Sequence, residues 1–69
     1  STPQMEQLLR SAMKKGALAG KVCGAGGGGC VAFIVPPANK QLVIEELTFQ
    51  GGQVLPFRFV SRGQRVTVQ

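Results

Sequence analysis

Residues 21–35 have the sequence KVCGAGGGGCVAFIV, a glycine run between two apolar flanks. Five of the ten glycines of the chain lie between Gly24 and Gly29, and glycine lets a second backbone or a ligand approach closely. The residues that follow, CVAFIV, form an unbroken apolar run that is typical of a strand buried on both faces. A flexible linker would be followed by polar residues. We therefore predict an ordered loop between two core strands, with Cys23 and Cys30 at its two ends.

Length and composition indicate one small globular domain. The chain has 69 residues, 43% of them hydrophobic, which is ordinary for a folded protein. No apolar run approaches the ~20 residues that span a bilayer, and residues 1–10 lack the pattern of a secretory signal. We expect a cytoplasmic protein without a membrane partner. The net charge of +5 comes from lysines and arginines scattered along the chain, which favours solubility more than a specific nucleic-acid site.

The cysteines and the missing histidine limit metal and redox chemistry. One copy of the chain offers two cysteines and no histidine, whereas a structural zinc site needs four such ligands. If the loop joins antiparallel strands, Cys23 and Cys30 would come close enough for a disulfide. Nothing in the sequence indicates an oxidising compartment, so we expect two reduced thiols that serve as small apolar core residues. Their six-residue separation also differs from the two-residue spacing of redox motifs.

Two helices are predicted. Residues 2–15 carry one apolar stripe at helical spacing, with Ser1 or Thr2 as the cap, Pro3 in the first turn and Gly16 as the end. Residues 16–20 are predicted to form a short connector. A second helix runs from about residue 37 or 38 to 49 and is ended by Gly51 and Gly52. The expected buried positions are Met5, Leu8, Leu9, Ala12 and Met13 in the first helix, and Leu42, Val43, Ile44 and Leu47 in the second.

Two further strands complete the predicted order α-β-β-α-β-β. Residues 53–60 show alternation of Leu55, Phe57 and Phe59, and Pro56 places this strand at a sheet edge or marks a bulge. A turn at residues 61–63 leads to a last strand at residues 64–68, with Val66 and Val68 on one face. We predict an α+β fold, a two-layer sandwich with both helices over one face of a mostly antiparallel sheet.

No catalytic centre is predicted from the residues themselves. The glycine run satisfies G-x-G-x-x-G literally, but a dinucleotide site needs a helix directly after it and here a strand follows. A P-loop would need Gly-Lys-Ser or Gly-Lys-Thr. Without histidine there is no Ser/His/Asp or Cys/His set. The three acids, Glu6, Glu45 and Glu46, fall on the predicted helices, so we expect no catalytic carboxylate pair and no metal site.

Two motifs resemble the GHMP kinases, the superfamily of galactokinase, homoserine kinase, mevalonate kinase and phosphomevalonate kinase. Residues 21–30, KVCGAGGGGC, resemble the C-terminal glycine-rich motif, and residues 51–59, GGQVLPFRF, resemble the tail of the sugar-kinase branch that includes the heptose 7-phosphate kinases. The resemblance implies a ferredoxin-like C-terminal domain whose glycine loop lines the active cleft. That loop comprises Gly24, Ala25, Gly26, Gly27, Gly28 and Gly29, flanked by Lys21, Cys23 and Cys30. Many members have serine or threonine in place of Cys23.

The same resemblance implies what the whole enzyme does. The phosphate-binding loop and catalytic aspartate of the family belong to an N-terminal domain, which no stretch here matches. We therefore expect residues 1–69 to be a partial domain, the C-terminal piece of a kinase that uses ATP and Mg²⁺ to phosphorylate a sugar or sugar phosphate. Its partners would be the missing N-terminal kinase domain, the substrate and, in one interpretation, a second copy of the chain. The piece alone should be inactive and bind no cofactor.

The sequence is also compatible with two other functions. The first is a small basic module that binds single-stranded nucleic acid, since residues 57–60, FRFV, are weakly similar to an RNA-recognition pattern. The low aromatic content, four phenylalanines and no tryptophan or tyrosine, disfavours it. The second is a standalone assembly domain that has lost catalysis.

Overall fold

The computed structural model describes residues 2–23 and 29–69. In chain order the elements are α1 (Pro3–Lys14), β1 (Ala19–Cys23), β2 (Cys30–Val35), α2 (Lys40–Phe49), β3 (Arg58–Val60) and β4 (Gly63–Val68), with a 3₁₀ turn at Pro37–Asn39 before α2. This confirms the predicted order α-β-β-α-β-β. The predicted connector is two residues shorter than expected, because Ala19 and Gly20 already belong to β1.

The four strands form one antiparallel sheet in the order β1-β2-β4-β3. The long strands β2 and β4 lie in the centre, where Val31 is opposite Val68 and Phe33 is opposite Val66. Such directly opposed apolar pairs are the main packing unit of a sheet. The α+β class with two helices and an antiparallel sheet is therefore confirmed.

Both helices cover the same face of this sheet. Leu8 and Ala12 of α1 and Val43 and Leu47 of α2 are buried together with the inward side chains of the central strands, which are Val31, Phe33, Val35, Val66 and Val68. The other side chains of β2 are only half-buried. The expectation that β2 is buried on both faces is thus wrong, because both helices pack on the same face of the sheet and neither covers the other face.

The uncovered side of the sheet is called the open face below. Period-two alternation along each strand and the register of the ladders assign its residues. It comprises Ala19, Lys21, Cys23, Cys30, Ala32, Ile34, Arg58, Val60, Arg65 and Thr67.

Both helices end in the same hydrogen-bonded motif. At the end of α1, the Gly16 N–H donates to the Met13 carbonyl at 3.2 Å and the Ala17 N–H donates to the Ala12 carbonyl at 3.0 Å. At the end of α2, the Gly52 N–H donates to the Leu47 carbonyl at 2.9 Å. The residue after each cap, Gly16 or Gly51, has a positive φ of 112° or 93°. These are Schellman ends, and they confirm the predicted helix termini.

One expected core position in each helix is exposed. Met13 of α1 is 47% exposed and Leu42 of α2 is 52% exposed. Each lies at the flank of an apolar stripe that is wider than the contact with a single sheet face. Leu8, Ala12, Val43 and Leu47 are buried as predicted, and Met5, Leu9 and Ile44 pack partly buried against them.

The predicted strand at residues 53–60 is interrupted. Val54 forms an isolated bridge with Val68, the Leu55 N–H donates to the Thr67 carbonyl at 2.7 Å, and regular pairing resumes only at Arg58. Pro56 lies in the gap and has no N–H to donate. The edge position of this segment is confirmed by the strand order. Phe57 and Phe59 are 41% and 76% exposed.

Candidate functional site

The glycine stretch connects two neighbouring strands at one end of the sheet. Cys23 ends β1, Cys30 begins β2, and the two residues are direct register partners with Cα atoms 5.3 Å apart. The predicted pairing of the flanking strands is therefore confirmed. The prediction of an ordered loop concerns mainly Gly24, Ala25, Gly26, Gly27 and Gly28, which lie outside the described residues.

Gly29, the last residue of the stretch, packs directly on helix α1. A Cβ at this position would overlap the methyl group of Met5. Next to this contact lies a cavity of about 210 Å³ whose walls include Thr2, Gly52 and Val68. The glycine at position 29 thus lets the chain enter β2 beside the N-terminal turn of α1, where a larger residue would push Met5 aside.

The two cysteines are joined by a disulfide bond. Their Cα separation of 5.3 Å lies within the range that a disulfide bridges. The expectation of two reduced thiols in the core is therefore wrong on both counts. The antiparallel register sets the cysteines opposite each other, and both lie half-buried on the open face rather than under the helices.

Lys21 lies on the open face, two residues before Cys23 on the same side of β1. Both residues line a cavity of about 320 Å³, together with Ile34, Val60 and Arg65. The structure therefore brings two of the predicted flanking residues, Lys21 and Cys23, to one surface. Cys30 is on the same face, but it lines the smaller cavity at the end of the sheet.

The acidic residues lie away from this surface. Glu46 accepts a hydrogen bond from the Gln50 amide at 2.8 Å, and Glu45 accepts one from the Gln41 amide at 3.2 Å, all along helix α2. Glu6 lies in the first turn of α1, where a negative charge favours the helix dipole. Within residues 2–23 and 29–69, no three histidine, cysteine or acidic side chains come together in a group that could hold a metal ion.

The aromatic residues do not form a stacking platform on the sheet. Phe59 is paired with the buried Gln64, so it projects to the helix side of edge strand β3. Its ring meets Phe57 edge-on at 6.2 Å, and Phe57 lies under the Lys40 ammonium group at 3.8 Å from the ring centroid. Among the described residues the open face has no aromatic side chain, whereas RNA-binding sheets stack bases on aromatics that they expose.

Two features of the site are not found by sequence reasoning. Arg58 and Arg65 are opposed on the open face, which depends on a register between β3 and β4 that the gap at Pro56 obscures. The disulfide is compatible with the predicted strand pairing, but the inference about compartment disfavours it. The strand register predicts the disulfide better than the inference about compartment does. Cys23 and Cys30 are register partners at the adjoining ends of two paired strands, so their side chains lie opposite each other.

Comparison with known proteins places this geometry in a family. Residues 1–53, which include both helices, β1, β2 and the glycine stretch, match the family model described as GHMP kinases C terminal. The chain belongs to this family. The match ends before β3 and β4, so the arginine pair and the phenylalanine contact lie beyond the matched segment.

Several curated GHMP relatives resemble the chain over nearly its full length. The D-glycero-alpha-D-manno-heptose 7-phosphate kinase of Campylobacter jejuni is 36% identical over 63 residues, which cover 91% of this chain and 19% of that enzyme. The mevalonate kinases of Thermococcus onnurineus and Pyrococcus abyssi are 33% and 32% identical over 66 residues, 96% of this chain and 20% and 19% of theirs. The chain thus spans about a fifth of the length of these relatives. No solved structure matches it.

Neither helix has the dimensions of a membrane span. Within residues 2–23 and 29–69, both α1 and α2 lack the combination of length and apolar composition that crossing a bilayer requires.

Proposed function

We propose that the chain is a C-terminal part of an ATP-dependent sugar or sugar-phosphate kinase of the cytoplasm, and that its glycine stretch lines the active cleft. The observation that carries the proposal is the family match over residues 1–53, which spans the stretch and both strands that hold it. The heptose 7-phosphate kinase of Campylobacter jejuni, at 36% identity, favours a sugar phosphate as the substrate. In this proposal residues 1–69 are a partial domain of ferredoxin-like type.

The proposed role of the glycine stretch follows from its small side chains. Backbone amides from Gly24 to Gly29 would be accessible to phosphate oxygens of the bound substrates, since glycine leaves the N–H groups uncovered. Lys21, Cys23 and Cys30 would flank this surface. Gly29 holds the exit of the stretch against α1 through Met5. In this proposal the chain positions and encloses the bound substrates by forming one wall of the cleft.

ATP and Mg²⁺ do not fit the described residues as a site of their own. The three carboxylates lie on the helices, and phosphoryl transfer needs positioned phosphates, a metal ion and a group that orients the nucleophile. Bound ATP would supply the phosphoryl group, and Mg²⁺ would neutralise the negative charge of its phosphates. We propose that an N-terminal kinase domain binds it, and that the 69 residues alone transfer no phosphate.

A chimaeric enzyme tests this function. The segment of the Campylobacter heptose 7-phosphate kinase that matches this chain, 19% of that enzyme, is replaced by the chain. Phosphoryl transfer from ATP is measured with heptose 7-phosphate and, in a parallel arm, with mevalonate. We expect activity with the heptose, and its loss in Gly27→Val but not in Arg62→Gln, which changes an exposed turn residue. A folded chimaera that turns over neither substrate would contradict the proposal, as would turnover by the isolated chain.

A further inference from the structure

The open face carries a positively charged surface next to the disulfide. Lys21 and Cys23 project from the same side of edge strand β1, and Arg65 projects from β4 into the same cavity of about 320 Å³. Ile34 and Val60 provide apolar walls. This shallow cavity is mainly apolar, has the two cationic residues Lys21 and Arg65 and one cysteine of the disulfide, Cys23, among its lining residues, and is called the basic pocket below.

The charges around this pocket are all of one sign. Arg58, directly opposite Arg65, adds a third cation to the open face. The chain has three acidic side chains, and all three lie on α1 and α2, which cover the other face of the sheet. Like charges that face each other across a ladder are unfavourable unless an anion is nearby. A surface of one charge sign raises the local concentration of ions of the opposite sign.

The disulfide is placed for attack from this side. Cys23 lies on edge strand β1, both cysteines are half-buried, and the bridge is on the open face. Reactive cysteines are characteristically found in electropositive and partly exposed surroundings.

We propose that Cys23–Cys30 is a thiol–disulfide exchange site for anionic low-molecular-weight thiols of the glutathione class, which bind in the basic pocket beside Cys23. The proposal rests on the open face and not on the kinase function. The thiol's carboxylates lie by Lys21 and Arg65, and its sulfur approaches the Sγ of Cys23. Its oxidised form, an anionic disulfide, binds the same pocket when the reaction runs in reverse.

The reaction proceeds in two exchange steps. A thiolate attacks the Sγ of Cys23 and forms a mixed disulfide, while the Cys30 sulfur leaves with the bonding electron pair and takes up a proton. A second thiolate attacks the outer sulfur of the mixed disulfide, releasing the small disulfide, and the Cys23 sulfur is protonated. Two thiols are oxidised and the protein disulfide is reduced by two electrons.

Exchange at this site changes how the glycine stretch is anchored. In the oxidised form a covalent bond joins the strand ends that the stretch connects, seven positions apart in sequence. In the reduced form only the backbone ladder between β1 and β2 joins them.

Reduction kinetics with differently charged thiols test the proposal. The oxidised chain is mixed with glutathione, with cationic cysteamine or with neutral mercaptoethanol, quenched by acid, and the free thiols are counted by mass spectrometry. In the Lys21→Gln/Arg65→Gln variant we expect the glutathione rate to fall about 10-fold, the lower end of typical electrostatic steering, while the mercaptoethanol rate is unchanged. The glutathione advantage should also shrink at high salt.

A matched control distinguishes the effect of the pocket charges on the glutathione rate from the effect of the net charge of the chain. The Lys15→Gln/Arg62→Gln variant removes the same two charges at exposed positions outside the pocket, and it should keep the wild-type glutathione rate. With glutathione disulfide, Cys30→Ser should form a mixed disulfide at Cys23 faster than Cys23→Ser does at Cys30. Circular dichroism checks that every variant is folded. Equal glutathione rates in all variants, or a folded wild-type chain that glutathione never reduces, would overturn the proposal.

Discussion

Arg58 and Arg65 lie directly opposite each other across the β3–β4 ladder, on the open face of the sheet. Neither guanidinium has an ion-pair partner among the described residues. Since opposed like charges destabilise a strand pair by a few tenths of a kcal/mol, Arg58→Glu should raise the free energy of unfolding by about 0.5 kcal/mol. Urea denaturation at low ionic strength measures this change.

Salt dependence distinguishes this effect from a general change in charge. The gain from Arg58→Glu should disappear at about 1 M salt, where the Debye length is about 3 Å. Arg62→Glu, in the exposed turn between the same strands, makes the same change in net charge and should have a smaller effect. A gain of equal size in both variants would show that the opposed pair is not the cause.

Gln64 is a buried polar residue whose Oε1 has no hydrogen-bond partner in the part of the chain that the structure describes. Its side chain is 7% exposed, and its strand neighbours in the ladders are Val35 and Phe59. An unpaired buried acceptor costs about 1–3 kcal/mol. Gln64→Leu, which is close in volume, should therefore raise the stability by about 1 kcal/mol.

Calorimetry of Gln64→Leu and Gln64→Glu measures this effect in both directions. The leucine variant should have a higher Tm, and the glutamate variant a lower one at neutral pH, because it buries a charge without a partner. A lower Tm for the leucine variant would contradict this prediction and show that the Gln64 amide stabilises the fold.

How far the sequence predicts this fold depends on the feature. The helix ends were predictable, since Gly16 and Gly51 each follow an amphipathic segment and take the positive φ that a Schellman end requires. The inward positions of β4 followed from period-two alternation. The apolar run at Cys30–Val35, by contrast, is compatible with one or two covering layers. Only the packing of both helices on one side shows that Ala32 and Ile34 belong to an open face.

The site was less predictable for reasons of register. Which residue opposes which depends on loop geometry, and a shift by one residue moves every side chain to the other face. The arginine pair and the position of Phe59 on the helix side both follow from the register that β3 adopts after Pro56. The state of the two cysteines was predicted wrongly because that prediction relied on the cellular compartment, which these residues do not specify.

The contact between Lys40 and Phe57 joins the start of α2 to the segment before β3. A cation over an aromatic face at a partly exposed site stabilises by about 0.5–1 kcal/mol. In a double-mutant cycle with Lys40→Met and Phe57→Leu, we expect a coupling energy of about 0.5 kcal/mol. Urea denaturation of the four proteins measures it, and Lys14→Met, on the other helix, is the control that should show no coupling with Phe57→Leu.

The two Schellman glycines form a matched pair in which backbone strain can be separated from packing. Gly51 has a φ of 93° and open space where a Cβ would point, whereas Gly16 has a φ of 112° and a Cβ there would lie 2.5 Å from the Asn39 Nδ2 atom. The Asn39 amide donates to the Lys15 carbonyl at 3.3 Å. A substitution at Gly16 must therefore displace a hydrogen-bonded side chain as well as strain the backbone.

We expect Gly51→Ala to lower the free energy of unfolding by about 1 kcal/mol, the cost of a left-handed residue with a Cβ. Gly16→Ala should cost about 1 kcal/mol more, because the Asn39 hydrogen bond is also lost. In an Asn39→Ala background the hydrogen bond is already absent and the two nearest atoms are removed, which leaves only the Cβ of residue 39 at 3.2 Å. The difference in cost between the two alanine substitutions should therefore shrink. If both substitutions lower the free energy of unfolding equally in the wild-type background, Asn39 moves away freely. The 3₁₀ turn at Pro37–Asn39 would then not stabilise the end of α1.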